Sequence, residues 1–225
     1  MSLIEIKNIK KTYGCGENEV KALRGINLNV DKGDFLAIMG PSGSGKSTLL
    51  NILGFLDKPT EGEYIFNGEK TDSLKDAKLA KYRNSHVGFV VQNFALIDDY
   101  TIFQNVKVPL DYAHVSSKEK KKRIEDLLKI MGIEDKKNKL PKELSGGQNQ
   151  RAAIARALVN SPDIILADEP TGALDRKNSD EIMKVFKKLN DEGKTIIIIT
   201  HDERVGSMCK KIVYIEDGMV KEIEK

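Results

Sequence analysis

A glycine-rich stretch at residues 40–48 constrains the possible folds of this chain more than any other feature. It fits the pattern G-x-x-x-x-G-K-[S/T] and lies between two apolar segments, residues 35–39 and 49–55. A phosphate-binding loop lies in the same way between a buried strand and a helix. Its glycines let consecutive N–H groups point inward, and the helix that follows adds a positive N-terminal end. The residues that we expect to surround a nucleoside triphosphate are Gly40, Pro41, Ser42, Gly43, Ser44, Gly45, Lys46, Ser47 and Thr48.

Two side chains of this phosphate loop have specific predicted roles. The Lys46 ammonium is expected to reach the β- and γ-phosphates, and the Ser47 hydroxyl is expected to hold Mg²⁺. A glycine-rich loop that only connects two elements is a much weaker interpretation, because the flanking strand and helix are both indicated.

Polar residues follow further predicted strands at their carboxyl ends, where an α/β sheet binds its ligands. Asp168 and Glu169 come directly after the apolar residues 164–167. Two adjacent carboxylates beside a phosphate loop suit Mg²⁺ binding by Asp168, through water, and activation of the attacking water by Glu169. Gln92 follows a strand predicted at residues 86–91, and a ligand contact and a solvated loop glutamine are equally good interpretations of it. His201 follows the strand predicted at residues 195–199, and it leaves the sheet at the same edge.

Two other features are open to more than one interpretation. Tyr13 precedes a glycine-rich turn, and it is either a packed residue at a strand end or an aromatic surface for a nucleotide base. Residues 144–148, Leu-Ser-Gly-Gly-Gln, precede an Ala-rich helix predicted at residues 149–160. They form either a second anion site at a helix N-terminus or a helix cap without a ligand, and the pattern alone favours the cap.

The periodicity of apolar residues predicts an α/β fold. Alternation at residues 4–6 and 26–30 indicates half-buried strands in an N-terminal β region. The β-branched run at residues 195–199 is typical of a central strand in a mainly parallel sheet, and residues 212–218 indicate an edge hairpin. Ser116 and Glu119 form a capping-box pair at the start of a helix that Gly132 ends. Apolar residues with helical spacing in it are Ile124, Leu127, Leu128 and Met131.

The order of these segments predicts one domain of 225 residues with an insertion. Residues 1–92 and 161–225 are expected to form the core sheet and the β region, and residues 93–160 a helical subdomain. The basic run at residues 118–123 is interpreted as a solvated helix face rather than a docking patch for an acidic surface.

Composition excludes several classes of protein. A hydrophobic fraction of 40% and a charged fraction of 32% indicate a soluble globular chain, and a net charge of +3 gives no sign of nucleic-acid binding. Cys15 and Cys209 have no metal-like spacing and are expected to be free thiols. Residues 1–7 carry charges where a signal peptide is apolar, and no apolar run approaches the ~20 residues of a membrane span. We therefore expect a cytoplasmic chain that reaches a membrane only through a partner.

Taken in order, these motifs resemble the nucleotide-binding domain of ATP-binding cassette (ABC) proteins over essentially the whole chain. Leu144-Ser145-Gly146-Gly147-Gln148 is specific to that family, so the resemblance overrides the interpretation as a simple cap. In such proteins this segment contacts ATP held by the partner domain. The resemblance therefore implies ATP hydrolysis in a head-to-tail dimer of two copies, with two ATP molecules and Mg²⁺ between them.

The resemblance also implies roles for individual residues. Gln92 is similar to the glutamine that senses Mg²⁺, the attacking water and the membrane subunit. His201 is similar to the histidine that contacts the γ-phosphate, Tyr13 to the aromatic residue that stacks on adenine, and Asp175 to a residue that crosses the dimer interface. The residues that the resemblance places around Mg²⁺ are Ser47, Gln92 and Asp168.

Three segments, residues 51–54, 56–62 and 170–175, resemble the macrolide-export and lipoprotein-release group of this family. That group includes ATPases of antimicrobial-peptide resistance transporters, and it acts on an integral membrane permease or force-transmitting subunit. Val91 and Asn149 depart from its usual Phe and Gln. The resemblance implies a cytoplasmic ATPase subunit on the inner face of the membrane.

Two alternatives within the same family are an ABC ATPase that acts on nucleic acid or ribosomes and the ATPase of an importer. The first is disfavoured because the chain has no long heptad insertion and only one cassette, so no nucleic-acid partner is expected.

Overall fold

Two β-sheets form the framework of the computed structural model, which describes residues 2–71, 74–113 and 115–224. In chain order the strands are β1 (Ser2–Tyr13), β2 (Val20–Asp31), β3 (Phe35–Met39), β4 (Glu61–Phe66), β5 (Glu69–Lys70), β6 (Val87–Val91), β7 (Ile164–Asp168), β8 (Thr195–Ile199), β9 (Lys211–Glu216) and β10 (Met219–Glu224). The helices are α1 (Lys46–Leu53), α2 (Asp76–His86), α3 (Ile102–Tyr112), α4 (Ser117–Ile130), α5 (Gly146–Leu158), α6 (Arg176–Asp191) and α7 (Glu203–Ser207).

The strand order confirms the predicted α/β fold. The N-terminal sheet is antiparallel, with the order β2-β1-β4-β5. The core sheet has the order β10-β9-β3-β8-β7-β6, and its pairs are parallel except for the hairpin of β9 and β10 at one edge. The run at residues 195–199 is a central strand, as predicted, because β8 lies between β3 and β7.

Both faces of the core sheet are covered, which explains why its central strands are apolar throughout. Successive residues of β8 alternate between two hydrophobic clusters: Ile196 and Ile198 belong to one, and Ile197 and Ile199 to the other. The first cluster includes apolar residues of α3, α4, α5 and α6, whereas the second joins the core sheet to α1 and the antiparallel sheet. Burial on both faces holds the ends of β3, β7 and β8 in fixed positions.

The segment between β6 and β7 is helical. In α4, Ile124 and Leu128 are buried, and Gly132 follows the helix with a φ of 68°, in the left-handed conformation that ends many helices. On the helix face that was predicted to be solvated, Lys121 and Lys122 are exposed. Lys120 is partly buried and forms an ion pair with Asp111. The division at residues 93–160 into a separate helical subdomain stays a prediction.

The structure differs from the sequence-based prediction at several helix ends. Helix α5 begins at Gly146 rather than at residue 149, because Ser145 caps it and Gln148 completes a capping box. Helix α3 was not predicted, although Thr101 and Gln104 form a capping box that signals its start. His86 ends α2 instead of beginning β6.

Helix α1 also differs, because it begins at Lys46 rather than at residue 49 and ends at Leu53. Phe55, which was predicted to be helical, has a φ of 59°. Both cysteines are free thiols, with Cys15 exposed and Cys209 partly buried. Among the described residues, no helix combines the length and apolar character needed to cross a membrane.

Candidate functional site

The phosphate loop connects β3 to α1 and depends on its glycines. Gly40 has a φ of 146°, and a Cβ there would lie 1.9 Å from the carbonyl oxygen of Ile215. Gly45 has a φ of 98°, and a Cβ there would lie 2.5 Å from the carbonyl oxygen of Ala22. Since a backbone oxygen cannot move aside cheaply, these two positions accept only glycine without distortion.

The Lys46 side chain folds back over the phosphate loop. Its Nζ donates hydrogen bonds to the carbonyl oxygens of Gly40, at 2.8 Å, and Pro41, at 2.7 Å. Burial lowers the pKa of Lys46, and the nearby carboxylates of Glu169 and Asp168 act in the opposite direction. The ammonium is therefore held by carbonyl groups that phosphate oxygens could replace.

Ser47 and Asp168 lie side by side, as the prediction of a Mg²⁺ site requires. The Ser47 hydroxyl donates to Asp168 Oδ2 at 3.5 Å. Burial, and then the charge of Glu169, raise the pKa of Asp168. In the part of the chain that the structure describes, no group of three or more His, Cys, Asp or Glu side chains is arranged to hold a metal. One hydroxyl and one carboxylate fit Mg²⁺, which keeps several waters and also binds substrate phosphates.

The two residues that follow β8, Thr200 and His201, hold the Glu169 side chain in place. Its own N–H donates to the carbonyl oxygen of Ile199 at 2.9 Å, and its φ is 45°. The Thr200 hydroxyl donates to Oε2 at 3.2 Å, and the backbone N–H of His201 donates to Oε1 at 3.0 Å. His201 Nδ1 lies 2.6 Å from Oε1. This carboxylate is thus oriented before any substrate is bound.

A cavity of about 530 Å³ adjoins this carboxylate. Gln92, Glu169 and His201 all line it, so the structure brings together the polar residues that follow three different strands. The Gln92 side chain also lies against Gly172, where an added Cβ would be 2.8 Å from Gln92 Nε2. The geometry therefore favours a ligand-facing Gln92 over an isolated loop glutamine.

Tyr13 is the last residue of β1, and the residue is 41% exposed. Its hydroxyl donates to Asp57 Oδ2 at 2.8 Å, and Lys11 Nζ lies 4.8 Å from the ring centroid. Burial raises the pKa of Tyr13, and the nearby Thr48 side chain acts in the opposite direction, so Tyr13 lies beside the phosphate loop. Tyr13 is therefore a strand-end residue that is also exposed.

Residues 144–148, the signature segment, make their contacts away from the phosphate loop. Ser145 Oγ accepts from the N–H of Gln148 at 3.4 Å, and Gln148 Oε1 accepts from the N–H of Ser145 at 3.0 Å. Gly147 is buried, and a Cβ there would lie 2.5 Å from Asn178 Oδ1. A Cβ on Gly146 would lie 3.2 Å from the Leu174 side chain. Of the described residues that line the cavity beside Glu169, none belongs to the signature segment.

Asp175 is the N-cap of α6 and is linked to the signature segment through Asn178. Its Oδ1 accepts from the Asn178 backbone N–H at 2.9 Å, and its Oδ2 accepts from the Asn178 side chain at 2.6 Å. These bonds hold the pKa of Asp175 below its usual range. Because Asn178 also packs on Gly147, Asp175 and the signature segment have a fixed relative position.

Sequence reasoning missed two polar residues that hold this site in place. Thr200, which is fully buried, orients Glu169 as described above. Gln150, also fully buried, donates from Nε2 to the carbonyl oxygen of Pro170 at 2.6 Å. A polar residue on the buried face of an Ala-rich helix is the signal that could have identified Gln150.

Comparison with known proteins identifies the relatives of this chain. Residues 23–172 match the ABC transporter family. An uncharacterized ABC transporter ATP-binding protein of Methanocaldococcus jannaschii, MJ0796, is 50% identical over 228 residues, which cover 99% of this chain and 97% of that protein. The macrolide export ATP-binding/permease protein MacB of Syntrophobacter fumaroxidans is 49% identical over 224 residues, which cover 98% of this chain. This match covers 31% of MacB, so the chain spans about a third of that relative.

A solved structure agrees with the sequence comparison. It is a dimeric structure of the ATP-binding cassette MJ0796 in a post-hydrolysis state, bound to ADP and Pi. It is similar to this chain with a TM-score of 0.90 and 49% sequence identity, over 99% of this chain and 98% of that one.

The phosphate loop yields a direct test of its geometry. Gly45→Ala is expected to raise the Kd for MgATP by about tenfold, because overpacking against the Ala22 carbonyl costs about 1–3 kcal/mol. Gly33→Ala is the matched control, since Gly33 also has a positive φ, 83°, but an added Cβ there meets nothing within 4 Å. Equilibrium binding of a fluorescent ATP analogue measures both variants. Equal affinities for the two would contradict the steric argument.

Proposed function

Because the chain belongs to the ABC transporter family, we propose that it is the ATP-hydrolysing subunit of a transporter that pairs head to tail with a second copy of itself. One observation carries the proposal: the phosphate loop, the Ser47–Asp168 pair and the Glu169–His201 pair meet at one edge of the core sheet. ATP binding and hydrolysis follow from the family and from the ADP- and Pi-bound cassette that this chain resembles.

The proposed chemistry consists of positioning and electrostatic stabilisation. Lys46 and the loop N–H groups bind the β- and γ-phosphates. Ser47, Asp168 and Gln92 would hold Mg²⁺, which supplies positive charge opposite the phosphate oxygens. Glu169, already oriented by Thr200 and by His201, accepts a proton from the attacking water or orients it. The His201 side chain is 77% exposed, so it has room to turn towards a γ-phosphate. Such a turn would break the contact of Nδ1 with Glu169 but would leave the bond from the His201 backbone N–H in place.

The proposed dimer explains the position of the signature segment. Ser145 is exposed at the start of α5, yet the segment does not line the described cavity beside Glu169. A second copy placed head to tail would bring its own Ser145 and Gly147 to the ATP on this chain, with Asp175 at the contact between them. Tyr13 would stack on the adenine. The dimeric form of the similar MJ0796 structure supports this arrangement.

We also propose that a separate integral membrane subunit completes the transporter. MacB relatives are ATP-binding/permease proteins, and this chain spans about a third of the one compared above. Export is the direction that these macrolide-export relatives favour, with macrolide-like substrates as one candidate class. The sequence resemblance adds lipoproteins and antimicrobial peptides as candidate substrates. The chain would then lie on the cytoplasmic face of the membrane. The relatives' names do not favour the alternative of a soluble ATPase that acts on nucleic acid or ribosomes.

Removal of the phosphate-loop ammonium is expected to abolish hydrolysis. Lys46→Ala should lower kcat for ATP by about a hundredfold or more, because preorganised charge on the transferred phosphate is lost. Phosphate release measures the rate. Lys187→Ala, an exposed lysine of α6, should leave the rate within about twofold. Full turnover by the Lys46 variant would show that the phosphate loop has another role.

Loss of the catalytic carboxylate is expected to trap the dimer. Glu169→Gln binds ATP but cannot activate water, so ATP should remain between the two copies and hold them together. Light scattering should report a dimer with ATP and a monomer with ADP. Glu192→Gln, an exposed glutamate at the end of α6, should behave as the wild type does. If Glu169→Gln stayed monomeric with saturating ATP, the head-to-tail model would be wrong.

Isolation from membranes tests the proposed partner. A tagged chain extracted in mild detergent should purify with an integral membrane protein in a fixed ratio. Co-purification with ribosomes or DNA, and with no membrane protein, would instead support the soluble alternative. Washing the membranes with high salt before extraction distinguishes a specific partner from weak surface adsorption.

A further inference from the structure

Phe94 and Ala95, which follow Gln92 after one intervening residue, have an unusual backbone conformation. Phe94 has a φ of 58° and Ala95 a φ of 47°, so two consecutive residues other than glycine are in the left-handed region. This region is unfavourable for side chains that carry a Cβ, and residues other than glycine visit it mainly one at a time. A specific interaction must therefore hold this segment in place.

Arg156 of α5 supplies that interaction. Its Nη2 donates to the carbonyl oxygen of Phe94 at 3.0 Å, and its Nη1 donates to the carbonyl oxygen of Ala95. Burial lowers the pKa of the Arg156 guanidinium, and no charged neighbour in the described part of the chain offsets that effect. A partly buried guanidinium without a carboxylate partner makes these two carbonyl oxygens its principal acceptors.

A second contact ties the same segment to the other end of α5. The Phe94 ring lies beside Gly146, where an added Cβ would be 3.7 Å from the ring carbon Cζ. Gly146 and Arg156 are about 15 Å apart along the helix. The segment after Gln92 is thus attached to both ends of α5, whose N-cap is Ser145.

We propose that Arg156 is a positioning residue for Gln92, and this inference rests on the proposed function. By holding the carbonyl groups of Phe94 and Ala95, Arg156 fixes the backbone that presents the Gln92 amide to the cavity beside Glu169. The same bonds make the placement of Gln92 depend on α5. Contact between Ser145 and a nucleotide on the second copy therefore influences Gln92 at the chain's own site.

Hydrogen exchange tests the clamp without nucleotide. Arg156→Met keeps an unbranched apolar stem but removes the guanidinium donors, and it should increase amide exchange in residues 93–97 by about tenfold. Arg151→Met is the matched control, because Arg151 lies on the same helix but bonds to Met131 and Glu181. That control should leave exchange in residues 93–97 unchanged. Unchanged exchange in Arg156→Met would overturn the proposal.

Kinetics then test the link to Gln92. Arg156→Met should lower kcat for ATP by about tenfold, leave KM within about threefold and raise the Mg²⁺ concentration for half-maximal rate. Arg156→Lys, which keeps the charge but not the fork of donors, should recover part of kcat. In a Gln92→Ala background, Arg156→Met should change kcat by less than about twofold, since its effect acts through Gln92.

The outcomes separate this role from a purely structural one. An equal loss of kcat with and without Gln92 would show that Arg156 only stabilises the fold, and it would overturn the proposal. If Arg156→Met fails to fold, the same exchange and kinetic measurements are made on Arg156→Lys. Partial effects on exchange and kcat are then expected, and wild-type values of both would overturn the proposal. A wild-type chain without ATPase activity would contradict the proposed function, whereas the exchange measurement would still test the clamp.

Discussion

Parallel pairing of four buried strands is the constraint on which the rest of the structure depends. The register pairs Ile38 with Ile199, and both Ile199 and Val91 with Asp168. Because all these strands run in one direction, the residues that follow them meet at a single edge. The phosphate loop, the acidic pair at the end of β7, the end of β8 and Gln92 are therefore neighbours, although they are far apart in the sequence. Burial of the strands on both faces keeps that edge rigid enough to orient side chains.

Electrostatics at this edge explain why the site suits a charged ligand. Burial raises the pKa of Asp168 and the adjacent Glu169 charge raises it further, whereas burial lowers the pKa of Lys46. Each charged form is thus disfavoured by desolvation and only partly stabilised by its neighbours. Mg²⁺ beside the carboxylate and phosphate oxygens beside the ammonium would both relieve these costs. Binding energy from the charges of MgATP is then available to organise the site.

The sequence predicted the elements whose signals are local. The glycine-rich loop after β3, the central strand β8 and the acidic pair at the end of β7 all combine a motif with an apolar run, and these three strands lie at the apolar runs that predicted them. Side-chain bonds between distant segments have no such signal. The bond from Arg156 to Phe94 joins residues 62 positions apart, and the bond from Gln150 to Pro170 joins a helix to a loop. Those contacts depend on how the helices pack on the sheet, which periodicity alone does not determine.

Both of these long-range bonds involve α5. Helix α5 therefore links the signature segment at its start to the residues around Glu169. Near its start, Ser145 is exposed and Gly147 packs on Asn178, which is bonded to Asp175. One turn further, Gln150 holds the Pro170 carbonyl, next to Glu169. A rotation of α5 would therefore move both the loop after Glu169 and the cap of α6. Because interiors are close-packed and transmit small displacements, a nucleotide that contacts α5 across the proposed dimer would act on the residues of this chain to which we assign the catalytic roles.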